Sequence, residues 1–321
     1  MSFGLASKWT LIEDNLFAIE SADNRDNQLA TNDAFSEKWK AFSREQIEDQ
    51  EKLFEFQKEW FLELYGYESE VALEEHLGNC EVILDAGCGL GYKAAWFAKL
   101  APHATVIAID YSDAVIVAHD RYKKEYPNVV FAKGDIANTQ LGNETVSFSV
   151  CDQVIMHTEN PRETLNELAR ITKSNGKVLC YWYRKKALPR ELLDDYFRAN
   201  TAKLSSEKHW KLSEEVLALG KMLSELKVEA TFPDLPSLGI KGGNMNLQRF
   251  IYWNFIKCFW NEELGYATSL STNFDWYSPV NAKRFSKDEV FADLKTASLE
   301  VDFFHDEEAC YSGRFVKSRN V

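Results

Sequence analysis

The stretch Val82-Ile83-Leu84-Asp85-Ala86-Gly87-Cys88-Gly89-Leu90-Gly91-Tyr92 runs apolar, turns acidic, and then sets three glycines at alternate positions. A short apolar run ended by glycines reads as a buried strand. Glycines that leave such a strand permit positive φ and a close approach of backbone to ligand, and the helix they open offers free amides to polar or negative groups. The pattern continues downstream. Residues 81–84, 105–110, 128–133, 146–154 and 177–182 read as strands, and 92–100, 113–125 and 161–172 as helices. Pro102 stops the first of these helices, and Asn160 with Pro161 caps the third. Strands alternating with helices need crossover connections, so the sheet is expected to be mostly parallel.

Around this core, Leu53, Phe56, Trp60 and Leu64 recur at helical spacing within residues 43–65 and give one apolar stripe. Residues 187–275 are aromatic-rich and helical, interrupted by PDLPSLGIKGG and without an apolar strand; they read as an inserted cap. Ser286-Lys287-Asp288-Glu289 is a capping box that opens a helix, and VDFFHDEE and CYSGRFVKS read as two closing strands. The expected divisions are a helical lid over residues 1–66, a core over 67–186, the cap over 187–275, and closing elements over 276–321.

Composition narrows the classes. Fifty acidic residues stand against 37 basic ones, for a formal charge of −13, which disfavours phosphate backbones as partners. No apolar run approaches the ~20 residues that span a bilayer. The first residues lack a signal-peptide pattern and the last lack an anchoring or retention motif, so a soluble cytoplasmic protein is expected. The six cysteines are scattered singly with no metal-ligand spacing, so neither a disulfide framework nor a metal site is expected. Monomer and homodimer both stay open.

The glycine spacing is G-x-G-x-G, with Tyr92 where a dinucleotide fingerprint would need its third glycine. That departure argues against nicotinamide and flavin cofactors.

Asp85-Ala86-Gly87-Cys88-Gly89-Leu90-Gly91 resembles the first motif of the class I S-adenosylmethionine-dependent methyltransferases. The likeness extends to the type 11/12-like small-molecule subgroup, through Met156-His157-Thr158-Glu159-Asn160-Pro161, Ser174-Asn175-Gly176-Lys177, CYWYRKK and NFDWYSP; it covers about residues 35–186 and 272–317. Ser149 and Asn175 depart from the subgroup, where an acidic residue and a glycine are usual. The resemblance implies a Rossmann-like α/β fold: a seven-stranded, mostly parallel sheet with an antiparallel closing strand, an inserted helical cap and an N-terminal helical lid. S-adenosylmethionine becomes the expected cofactor, S-adenosylhomocysteine its product, and a sugar or specialised metabolite the kind of acceptor expected. S-adenosylmethionine carries hydroxyls, an ammonium and an adenine but no phosphate, so it calls for carboxylates as well as amides. Asp85, Gly87, Cys88, Gly89 and Gly91 would cradle it. Asp110 with Tyr111 would take the ribose, Asp135 and Ile136 the adenine, and Asp152 and Gln153 the methionine end. The alternatives are a non-catalytic protein that binds the same cofactor and, on a similar fold, an NAD(P)-dependent oxidoreductase.

For chemistry, His157 follows the fourth core strand and is the candidate general base; its structural alternative is a bond to a backbone carbonyl near the Asn160 cap. Tyr183, Arg184, Arg190, Trp253, Trp276 and Tyr277 are candidate acceptor contacts, with Arg184 or Arg190 positioned to pair with a carboxylate or phosphate. The Arg184-Lys185-Lys186 run has a solvated face as its alternative. Trp39 and Phe42 are candidates for the lid over the cofactor.

With its net charge of −13, the protein is expected not to shift tRNA or duplex DNA in a gel at sub-micromolar concentration; a salt-sensitive shift would show the opposite.

Overall fold

The computed structural model describes residues 8–20, 26–42, 47–201 and 204–318. Two strands absent from the sequence reading come first, β1 (Trp9–Glu13) and β2 (Leu16–Ile19), then α1 (Asp26–Phe42), α2 (Ile47–Tyr65) and α3 (Glu70–Leu77). The core follows as β3 (Val82–Ala86), α4 (Tyr92–Leu100), β4 (Thr105–Asp110), α5 (Ala114–Tyr122), β5 (Val129–Lys133), β6 (Val146–Cys151), α6 (Pro161–Ile171) and β7 (Thr172–Tyr183). The inserted segment holds α7 (Leu188–Thr201), α8 (Ser206–Glu225), β8 (Glu229–Phe232), β9 (Gly243–Asn246), α9 (Leu247–Asn254) and α10 (Gly265–Tyr277). α11 (Lys287–Thr296), β10 (Leu299–Asp306) and β11 (Cys310–Lys317) close the chain.

Nine strands form one sheet in the order β1-β2-β5-β4-β3-β6-β7-β11-β10. The run from β2 to β7 is parallel, and β11 lies antiparallel between β7 and β10. The seven expected strands are present, and the β1–β2 pair extends the sheet beyond β5. β3 is buried along its whole length, as an apolar run covered on both faces must be. From β3 the chain moves outward to β4 and β5, then returns to β3's other side for β6 and β7. The crevice at that reversal lies beyond the carboxyl ends of β3 and β6, where such sheets bind ligands.

Local chemistry sets the helix starts. Asn160 accepts the amides of Arg162 and Glu163 with Pro161 behind it, and Ser286 and Glu289 complete their capping box. Residues 187–275 are expected to hold no apolar strand, and the strands they do contain, β8 and β9, are short and mostly polar. This hairpin pairs only with itself, so a polar sequence such as Gly243-Asn244-Met245-Asn246 suffices for it. All six cysteines are free and buried. No helix among the described residues is long and apolar enough to cross a membrane.

Both departures from the subgroup pattern have a physical setting. Ser149 is buried and its hydroxyl meets that of Thr172 at 2.7 Å; a carboxylate there would be buried without a countercharge. Asn175 has φ +62° at the irregularity in β7. Asparagine tolerates the left-handed region better than other residues with a side chain. Asn175→Gly is therefore expected to leave stability unchanged or slightly higher, and Asn175→Val to cost about 1–2 kcal/mol, read by urea unfolding.

Candidate active site

The crevice is a cavity of about 530 Å³, within the usual size of a small-molecule site. Its floor is the turn after β3. Gly87, Cys88 and Gly89 line it, and Gly89, at φ +52°, lies under the indole of Trp39 so closely that a Cβ would stand 3.2 Å from the ring. Asp110, at the end of β4, accepts the Gly89 amide through Oδ2 (2.8 Å) and the Ser112 amide and hydroxyl through Oδ1 (2.8 and 2.6 Å). Burial pushes its carboxyl up while these bonds hold it down. Three of its roughly four lone-pair sites are filled, so a ribose competes with the mobile Ser112 hydroxyl for the second bond. Tyr111, Asp135 and Ile136 line the same wall.

The end of β6 supplies the next wall, with Asp152, Gln153 and His157 all facing the cavity. Asp152 accepts the Tyr65 hydroxyl at 2.8 Å and the Lys93 ammonium at 2.7 Å. Burial opposes charge on Lys93, yet the carboxylates of Asp152 and Asp85 hold the ammonium well above the ordinary lysine value. Gln153 sits at φ +62°, a strained conformation for a residue with a side chain. Neither Tyr65 nor Lys93 was singled out by the sequence reading, because the pair they make with Asp152 spans 87 and 59 residues.

His157 is buried, its Nδ1 2.7 Å from the Asn281 carbonyl oxygen and its Nε2 3.4 Å from the Tyr183 hydroxyl. A carbonyl only accepts, so Nδ1 carries the hydrogen and Nε2 presents its lone pair. Burial pushes the imidazole down to about 3. An ordinary histidine titrates at about 6.5, so the buried ring is neutral across the physiological range.

The inserted segment roofs the cavity. Tyr183, Arg190, Trp253 and Trp276 line it, and so do Lys186, Arg249 and Lys257. Arg190 is buried, donating to Asp194 Oδ2 at 2.8 Å and to the Tyr252 carbonyl; Asp194 Oδ1 accepts the Trp276 indole N–H at 2.9 Å. Helix α1 closes the side, with Lys38 paired to Asp275 at 2.5 Å and Phe35 edge-on to His157. The side chain of Phe42 lies outside the described residues.

Four predicted site residues stand away from the cavity. Asp85 is wholly buried beneath the glycine turn, where burial pushes its carboxyl up to about 6. Gly91 serves packing: at φ +75° its Cβ would stand 2.7 Å from that of Ala118. Arg184 points to the opposite face from Tyr183, as successive strand residues must, and pairs with Asp306 at 2.8 Å. Tyr277 is turned into the roof, donating to the Lys257 carbonyl at 2.8 Å. Of the run Arg184-Lys185-Lys186, Lys185 is held outside by Glu289 and Lys186 alone reaches the cavity.

Comparison with known proteins matches residues 84–180 to the family model described as a methyltransferase domain. A malonyl-[acyl-carrier protein] O-methyltransferase of Halalkalibacterium halodurans is 32% identical over 100 residues, 30% of this chain and 37% of that one. A probable S-adenosylmethionine-dependent methyltransferase of Mycobacterium tuberculosis is 36% identical over 97 residues, 30% of this chain and 34% of that one. The matches thus span little more than a third of those relatives' length. Among solved structures, a magnesium protoporphyrin IX methyltransferase from Synechocystis PCC 6803 with bound S-adenosylhomocysteine aligns over 91% of this chain and 98% of its own, at 13% identity and a TM-score of 0.46.

The donor set fits S-adenosylmethionine: amides of a glycine-rich turn stand beside carboxylates at Asp110 and Asp135, which can accept hydroxyl and amino hydrogens. Asp110→Ala is expected to weaken S-adenosylhomocysteine binding roughly 10–100-fold, since charge-assisted hydrogen bonds contribute about 1.5–3 kcal/mol. Calorimetric titration of both proteins checks this, and equal affinities would remove Asp110 from the site.

Proposed function

We propose that this chain, whose residues 84–180 match the methyltransferase-domain model, is a class I S-adenosylmethionine-dependent methyltransferase that transfers a methyl group to a small organic acceptor held between the sheet and the roof. The observation that carries the reading is one cavity of about 530 Å³ into which the glycine turn, Asp110, Asp135 and Asp152 all open. When bound, the cofactor supplies an activated methyl group whose carbon bonds to an acceptor lone pair as the carbon–sulfur bond breaks, its electron pair staying on sulfur. The protein's part is mainly positioning. The turn and Asp110 hold the nucleoside portion. Lys93 and Tyr65 hold Asp152 by hydrogen bonds at the methionine end. Phe35, Trp39 and Trp276 exclude water from the space between.

His157, beside Tyr183, faces the acceptor's expected position. An imidazole that titrates near 3 is too weak a base to ionise an alcohol beforehand, but its Nε2 lone pair takes the proton that becomes acidic as the new bond forms. Where the acceptor is already ionised, it has no proton for this lone pair, which then only accepts from the Tyr183 hydroxyl.

The central test is a thermal-shift comparison. S-adenosylhomocysteine at 100-fold its dissociation constant is expected to stabilise the protein by about 2.7 kcal/mol, with no shift from NADH or NADPH, and label from methyl-tritiated S-adenosylmethionine should enter a low-molecular-weight product. A shift from the nicotinamides alone would overturn the assignment. Binding with no labelled product from any small-molecule fraction would favour a non-catalytic cofactor-binding protein.

His157 also gives a pH signature independent of the acceptor. Its proton binds near 6.5 in the unfolded chain and near 3 in the folded one, so between these values the unfolded state holds more protons and stability falls as pH falls. The contribution is up to about 1.4 kcal/mol per pH unit in that window. His157→Gln should therefore show a shallower loss of melting temperature from pH 7 to pH 4 than the parent; parallel curves would place the titration elsewhere. The same variant is expected to lower methyl transfer about 10²-fold with S-adenosylhomocysteine affinity unchanged.

A further inference from the structure

The half of the cavity beneath the roof differs in charge from the half beneath the glycine turn. Lys186, Arg190, Arg249 and Lys257 all reach it, in a chain whose net charge is −13. Three of the carboxylates that face this group are already matched by cations, while those of Glu307 and Glu308 have no lysine or arginine partner among the described residues. Asp194 is held by Arg190 and the Trp276 indole, and Asp275 by Lys38. Glu191 is bonded to Arg284 and the Lys186 amide. Glu307 and Glu308 stand in the β10–β11 turn, where Glu307 accepts the Cys310 thiol and faces His305. Lys186 donates two of its three ammonium hydrogens to the carbonyls of Arg184 and Ala309, at 2.7 and 3.1 Å, and burial with Arg190 and Lys257 pushes it down to about 7.

Lys257 is different. It is 8% exposed, and among the described residues its ammonium makes no hydrogen bond and no ion pair; it lies over the Trp276 ring at 4.5 Å. Arg249 likewise makes only a ring contact, 5.7 Å over Tyr252. Burying a cation without a directly paired countercharge is costly; burial first, then Arg190, pushes Lys257 down to about 7, with the Asp275 and Asp194 carboxylates opposing the shift only in part. Aromatic faces stand beside both groups: Trp276 lies 5.0 Å from Tyr183, and Trp253 4.6 Å from Tyr252. Unpaired cations among aromatic walls complement an anion carried on a flat apolar body.

Resting on the methyltransferase reading above, we propose that this half of the cavity is an anion-recognising acceptor subsite, in which Lys257 and Arg249, backed by Lys186 and Arg190, receive the carboxylate or phosphate of a planar, aromatic or conjugated acceptor. The anion is the handle by which the acceptor is held and oriented. Its arrival supplies the countercharge that Lys257 lacks, while the aromatic walls take the planar body.

The test is calorimetric titration of benzoate, phenyl phosphate and the uncharged benzamide into protein saturated with S-adenosylhomocysteine. At least one anion is expected to bind about 10-fold or more tightly than benzamide, and the preference should fall to near unity in Lys257→Gln and decline in Arg249→Gln, with S-adenosylhomocysteine affinity unchanged in both. Which anion is preferred separates a carboxylate from a phosphate acceptor. Anion binding near pH 7.5 is further expected to take up protons at Lys257 and Lys186, both pushed down to about 7, seen as a heat that changes between phosphate and Tris buffers and that shrinks in Lys257→Gln. Benzamide binding as well as the anions, no anion binding up to millimolar concentration, or a preference that survives both substitutions would overturn the proposal. Loss of S-adenosylhomocysteine affinity in Lys257→Gln would overturn it too, by giving the cation to the cofactor. Failure of the unmodified protein to bind S-adenosylhomocysteine would instead strike the methyltransferase reading, with the anion series then read on the protein alone.

Discussion

The ion pair between Lys93 and Asp152 joins the pieces from which the cavity is made. Lys93 belongs to the first turn of α4, immediately after the glycine loop, and Asp152 ends β6, while Tyr65 brings the end of α2 to the same carboxylate. The two charged side chains are 7% and 3% exposed. In such a place the cost of removing charge from water is large, and only full pairing with extra hydrogen bonds offsets it. Loss of either partner would leave a buried charge alone, so the loop, the strand end and the helix hold one relative position. Asp85, wholly buried under the same loop, adds a second carboxyl near the Lys93 ammonium.

From that fixed floor, the cavity runs through a gradient of chemistry. Carboxylates stand at the strand ends, neutral His157 and Tyr183 in the middle, and cations and indoles under the roof. Helix α1 binds the halves together through Lys38 on Asp275, Phe35 against His157, and the Thr31 hydroxyl accepting the Asn281 amide at 2.9 Å. The Asn281 carbonyl in turn fixes the His157 tautomer. Helix α1, the sheet and the return segment therefore meet at one imidazole, and movement of α1 would alter the ring's surroundings.

Features whose causes lie within a few residues were legible in the chain. Helix α4 and strand β4 have the limits that Pro102, the apolar run and Asp110 suggest, and the Asn160 and Ser286 caps form as their neighbours imply. The carboxylates at Asp110 and Asp135 could be found because each follows an apolar strand. By contrast, β1 and β2 are short and half exposed, and become strands only because β5 presents an open edge to β2. Lys93 and Tyr65 carry no local mark, since a lysine on a helix and a tyrosine in an apolar stripe are ordinary until Asp152 meets them.

Local order along the chain thus determined the alternating sheet, the glycine floor and the sequence in which acidic groups follow the strands, because strand period, helix capping and backbone freedom at glycine act over short distances. Only the tertiary structure decided which cations face inward. Arg184 and Lys186 are two residues apart in one basic run, yet one is held outside by Asp306 and the other reaches the cavity. Lys257 becomes a buried, unpaired ammonium through the packing of α7 and α10 around it, and His157 loses its ordinary titration through burial beneath α1. Burial and countercharge are properties of groups brought together across the whole chain, and no spacing along it records them.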